Sequence, residues 1–103
     1  MTFKEAFRRA KQQLRIPKHI NTPKPVHVYD KQDENRTVWA FKGDYQGKFI
    51  VMHQEDKFGR GPHLHTADDR RGSPLNPGKY NQHDGHIPEN SKGINIKKNN
   101  YKS

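Results

Sequence analysis

The sequence predicts an α+β fold, with an N-terminal helix packed on a small antiparallel β-meander. Three observations carry this reading. Apolar residues recur at helical spacing at the start of the chain, and short apolar-rich runs follow between turn-forming segments. Nothing besides the helix is available to cover one face of the sheet those runs would form.

Thr2 with Glu5 three residues on is a capping-box signature, and Phe3, Phe7, Ala10 and Leu14 then repeat at helical spacing until Pro17 stops the run. A helix is expected over residues 3–15. Lys4, Arg8, Lys11 and Arg15 form a second, basic stripe beside the apolar one, since successive residues rotate by about 100°. Residues 17–25 hold three prolines and read as an extended connector. Strands are expected at 26–30, 36–42 and 48–53, separated by turns at 31–35 and 43–47. Trp39 and Phe41 would share a face and belong to the core; Phe49, Val51 and His53 would share one face of the third strand, with Ile50 and Met52 on the other. A fourth strand is expected over 62–67, followed by a loop-dominated stretch from 68 to 89. Ile94 and Ile96 permit an edge strand before a frayed basic tail, 90–103.

The 103 residues are expected to form one small monomeric domain, with no internal repeat and no boundary. Only 28% of the chain is apolar and 30% is charged, so the core must be small. The net charge of +9 points to a polyanionic partner, nucleic acid first. That charge sits at the ends: residues 1–25 carry seven basic and one acidic side chain, residues 90–103 four and none, and the middle nine against ten. The absence of cysteine excludes disulfides, thiolate-metal sites and a cysteine nucleophile. The longest apolar run, Phe49-Ile50-Val51-Met52, is far too short to span a membrane, and Met1 opens onto an amphipathic helix rather than a signal peptide. No serine has a nucleophile-elbow context.

The chemistry concentrates in Gly61-Pro62-His63-Leu64-His65 and His83-Asp84-Gly85-His86-Ile87-Pro88-Glu89, which gather four of the seven histidines. Histidine titrates near neutrality, so several together point to proton transfer or a metal. In a strand His63 and His65 project to one face while Leu64 anchors the other. A metal site would take both imidazoles and add His83, His86 or Glu89. A metal-free ribonuclease would use one imidazole as base on the 2′-hydroxyl and a second group as acid to the leaving 5′-oxygen, with Arg or Lys stabilising the phosphorane. His53, closing the third strand, is a candidate partner for His63, with Lys57, Arg60 and Arg70 as candidate phosphate-facing cations. Gly59-Arg60-Gly61 lacks the following helix of a P-loop.

Ala6-Phe7-Arg8, Ala10-Lys11, Ile16-Pro17, the sheet ending near His53, Gly61-Pro62-His63 and Gly85-His86-Ile87-Pro88 together resemble the C-terminal nuclease toxin domains of bacterial polymorphic toxins, of the wall-associated, Rhs and contact-dependent inhibition types. The resemblance runs from Phe3 to Glu89 as scattered short motifs. It implies an interbacterial toxin secreted by a producer cell, acting in the target-cell cytoplasm, and neutralised by a cognate immunity protein, expected to be acidic. It matches His53, His63 and His86, while His65 and Glu89 depart from the expected pattern. The helix-then-meander order is similar in outline to metal-independent ribonuclease toxins related to barnase, colicins D and E5, and RelE.

The resulting expectation is a ribonuclease with no cofactor and no metal, acting on RNA, with tRNA as the specific target. His53, His63 and His86 with Arg60 and Lys57 would be catalytic, and Lys4, Arg8, Lys11, Arg15, His65, Arg70 and His83 would contact RNA. Two rivals stand beside it. One is a metal-dependent DNase using His63, His65, His83 and His86, and the other is a non-catalytic basic module that binds nucleic acid or an acidic protein.

Overall fold

The computed structural model describes residues 1–29, 35–53, 62–89 and 93–94. Helix α1 spans Phe3–Gln13, and five strands follow: β1 Val26–Val28, β2 Arg36–Ala40, β3 Lys48–His53, β4 His63–Asp68 and β5 Asn81–Gln82. They form one antiparallel sheet in the order β1-β2-β3-β4-β5. The fold is α+β, a helix on an antiparallel meander. A short 3₁₀ turn, Gly43–Tyr45, joins β2 to β3.

Helix α1 begins where the capping box places it, with the Thr2 hydroxyl accepting from the Glu5 amide at 3.2 Å. It ends earlier than residue 15. Arg15 takes a left-handed φ of 58°, and the Ile16 amide reaches back to the Lys11 carbonyl at 2.9 Å, a Schellman-type closure that turns the chain before Pro17. Lys48 secures this end from β3, its ammonium donating to the Leu14 carbonyl at 2.6 Å.

Strand alternation sorts the core into two layers. On the helix side, Trp39, Phe41, Ile50, Met52 and Leu64 pack with Ala6, Phe7, Ala10, Leu14 and Ile16. Phe3, Phe7 and Trp39 form an aromatic trio with centroids 5.3–5.7 Å apart. On the other side lie Val28, Val38, Phe49, Val51 and Ala67, with Tyr80 packed against them. Leu64 is fully buried at the centre of the helix-side layer. Its replacement by alanine is expected to cost about 3 kcal/mol, read as a lower urea midpoint with an unchanged slope.

Several expectations are corrected in detail. β1 pairs only through Val28 and β2 only to Ala40, while β4 runs one residue past Ala67 to Asp68. The stretch after β4 is not all loop. β5 pairs with Ala67 and Asp68, and Ile87 bridges to Leu64. Ile94 is buried in the helix-side layer, and its amide donates to the Pro62 carbonyl at 2.6 Å. The turn over 31–34, Lys57, Arg60, Gly59-Arg60-Gly61, Ile96 and the tail from 95 lie outside the described residues.

Candidate active site

Register brings four histidines together. His53 pairs with His63 across β3 and β4, and His65 sits opposite Val51, so all three imidazoles leave the sheet on the face opposite α1. His86 arrives from the loop after β5. Ring centroids are 4.8 Å apart for His63 and His65, 5.1 Å for His63 and His86, 5.4 Å for His53 and His65, 5.9 Å for His53 and His63, and 6.1 Å for His65 and His86. His63 and His65 are buried, while His53 and His86 are half-buried.

A bulge delivers His86. The His83 amide donates to the Thr66 carbonyl at 2.9 Å, and Ile87 exchanges both backbone bonds with Leu64 at 2.7 and 2.8 Å. Between these two anchor points, residues 84–86 stand opposite His65 alone, and the surplus chain bows over the sheet edge. Gly85 makes the turn with φ +85°, a conformation a side chain would strain. The Gly85 carbonyl then accepts from Nδ1–H of His65 at 2.8 Å, and Nδ1–H of His86 donates to the Pro88 carbonyl at 2.6 Å. A carbonyl only accepts, so Nδ1 carries the proton in both rings.

Burial pushes the pKa of His65 down to about 4. The hydrogen bond to Gly85 opposes that shift, and the neighbouring His53, His63 and His86 add to it. His65 is therefore a neutral imidazole near pH 7, protonated at Nδ1 with a lone pair on Nε2. His53 is oriented differently. Its Nε2 lies 3.2 Å from the Tyr80 hydroxyl, which donates to Gln82 Oε1 at 2.9 Å and so accepts from His53. Under the Tyr80 ring, 4.6 Å from its centroid, lies the Arg36 guanidinium, which also donates to the Pro74 carbonyl at 3.0 Å and to the Asn76 carbonyl.

Other expected site residues are placed elsewhere. His83 lies on the helix side with Thr66: its Nδ1 is 2.8 Å from the Thr66 hydroxyl and its Nε2 is 3.0 Å from Asp68 Oδ2. Arg70 is exposed beyond the end of β4 away from His63. Lys11 does not point to solvent. It is buried, its ammonium donates to the carbonyls of Lys18 at 3.3 Å and Ile20 at 2.7 Å, and desolvation lowers its pKa. Arg15 has left the helix, so Lys4 and Arg8 are the exposed members of the stripe. They line a groove of about 780 Å³ with Phe3, Phe7 and Lys18, on the sheet face opposite the histidines. Among the described residues, no group of three or more His, Asp or Glu side chains is arranged to hold a metal ion.

The segment that builds this centre is the one that known proteins share. Residues 27–89 match the sequence model of a family described as HNH/Endo VII superfamily nuclease toxins. The chain belongs to that family. The matched span of this nuclease toxin domain holds all four clustered histidines and most of the sheet, and leaves α1 with its basic stripe outside. Membership makes the domain an endonuclease unit of polymorphic toxins, with nucleic acid as substrate and delivery into a target cell as its setting. No curated protein and no solved structure matches the chain. Among the described residues no helix is long and apolar enough to cross a membrane.

Sequence reasoning missed Arg36, Tyr80 and Gly85 as parts of the site. Tyr80 and Gly85 reach it through irregular chain, for which no periodicity exists to read. The register that sets Arg36 opposite His53 depends on how the 3₁₀ turn closes the hairpin.

Proposed function

We propose that this toxin domain cuts RNA, with tRNA as the specific target, by proton transfer at the four-histidine centre and without a metal. One observation carries the reading: His63, on a strand, and His86, on a bulge, stand with tilted rings whose centroids are 5.1 Å apart, close enough for both to reach one phosphate. One takes the proton of the 2′-hydroxyl as its oxygen bonds to phosphorus. The other gives a proton to the 5′-oxygen as the phosphorus–oxygen bond to it breaks, leaving a 2′,3′-cyclic phosphate. His65, neutral at working pH, is suited to accept a hydrogen bond from substrate and not to donate the acid proton. His53 completes the wall, with Lys57 and Arg60 assigned to phosphorane charge from sequence alone. Lys4 and Arg8 would hold a more distant stretch of backbone, reached around a sheet edge, and an acidic immunity protein fits the net charge of +9.

A second reading, DNA cleavage assisted by a divalent cation, is favoured by the state of His65. A neutral imidazole with Nδ1–H tied to a backbone carbonyl is in the form that ligates metals through Nε2. One experiment separates the two. The protein is incubated with RNA, with the same strand bearing 2′-deoxy sugars, and with plasmid, each in EDTA and in magnesium, manganese or zinc. Cleavage of RNA alone, persisting in EDTA with cyclic phosphate ends, is expected. Strict cation dependence with plasmid nicking overturns the metal-free reading in favour of the second.

A further inference from the structure

Asp68 and His83 form a partly exposed pair on the β4 edge, outside the four-histidine centre and unused by the proposed cleavage chemistry. Asp68 accepts from the Arg70 amide at 3.0 Å on Oδ1, and from Asn81 Nδ2 at 2.8 Å and His83 Nε2 at 3.0 Å on Oδ2. Three donors converge on one carboxylate whose side chain is only 18% exposed. Burial would raise its pKa, and these hydrogen bonds outweigh burial and bring it down to about 2. His83 turns its other nitrogen to the Thr66 hydroxyl at 2.8 Å, so both ring nitrogens are committed to β4.

This pair sits at the upstream root of the bulge. Past His83 the chain leaves the β4 edge, and it rejoins at Ile87. The two groups that the bulge contributes to the centre, the Gly85 carbonyl and the His86 ring, both lie between those anchors. The downstream root is held by two backbone bonds from Ile87 to Leu64. At the upstream root the short β4–β5 ladder ends in a single bond from the His83 amide to Thr66, and the side-chain pair adds to that grip.

We infer that Asp68 and His83 are positioning residues, a latch on the β4 edge that sets where Gly85 and His86 stand over His65 and His63. The inference rests on the reading of the four histidines as the cleavage centre. Sub-ångström placement of acid and base decides the rate, and displacement by about 1 Å costs on the order of 100-fold. Asp68→Asn turns one acceptor into a donor facing other donors. His83→Gln keeps a polar side chain but cannot span Thr66 and Asp68 in the same geometry.

Two measurements on each variant test the latch. The first is the Nδ1–H resonance of His65 and its exchange with solvent, followed by nitrogen-edited NMR, which reports the bond to Gly85 whatever reaction the centre performs. The second is nucleolytic turnover against substrate concentration. In both variants the His65 resonance is expected to shift and exchange faster, with kcat lowered about 10- to 100-fold and KM within a few fold. An unchanged His65 resonance in His83→Gln, or in both variants, overturns the latch. A lost resonance with unaltered cleavage leaves the latch standing and removes the four histidines from catalysis. If Asp68→Asn does not fold, His83→Gln alone decides, because the backbone bond from residue 83 to Thr66 remains.

Discussion

Replacing His63 or His86 by alanine is expected to lower nucleolytic turnover by about 100- to 10,000-fold while leaving nucleic-acid affinity within a few fold. The two imidazoles reach one site from two elements, and in the proposed reaction loss of either removes one of the two proton transfers. The double replacement is expected to cost little more than the worse single one, because groups that act as a unit are not additive. Single-turnover cleavage measures the chemistry and fluorescence polarisation of a labelled strand measures the binding. His63 is 6% exposed, so His63→Gln accompanies the alanine change to keep the volume filled. Replacing Lys4 and Arg8 by glutamine is the contrasting case. It is expected to weaken binding and flatten its salt dependence, with turnover at saturation retained, since the groove they line is across the sheet from the histidines. Full turnover in His63→Gln and His86→Ala would remove this pair from the mechanism.

How much of this centre was legible follows from where each residue sits. The helix and the strands carrying Trp39, Ile50 and Leu64 were readable because alternation and helical spacing are local properties, and the structure puts those side chains in the helix-side layer. The same alternation placed His63 and His65 on one face. It could not rank them. His65 lies among the other three imidazoles, and that position depends on a bulge whose only local signs were Gly85 and Pro88. His86 ranked above His83 only through the family resemblance, and the two surplus residues of the bulge, which carry one to the helix side and the other to the opposite face, follow no local pattern. Lys11 illustrates the limit on charge. Its place on the basic stripe was readable, but the carbonyls of Lys18 and Ile20 that draw it inward come from a connector with no periodicity of its own.

The burial of His65 makes the domain acid-sensitive in a defined window. Its pKa falls from 6.5 in the ordinary state to about 4 in the folded one, so between those values the unfolded chain binds a proton that the folded protein refuses. The associated stability is fully present above pH 6.5, drains as the pH drops through 6.5 towards 4, and is gone below that. By the relation of about 1.4 kcal/mol per pH unit, the difference amounts to about 3 kcal/mol. Asp68 acts lower. Its carboxyl is held down to about 2 from 3.8, so its contribution is lost only as the pH falls through that second interval. His65→Asn separates the two, because the asparagine amide can still donate to the Gly85 carbonyl but does not titrate. Urea unfolding at pH 7, 5.5 and 4 is expected to show the parent protein losing about 3 kcal/mol more than His65→Asn across that range, with the two converging in acid sensitivity below pH 4. Parallel losses in both proteins would mean that His65 is not the group that burial holds neutral. The measured gap also bears on mechanism, since an imidazole kept unprotonated throughout the physiological range can orient or ligate, and in the proposed reaction the proton given to the leaving group then comes from a neighbouring imidazole.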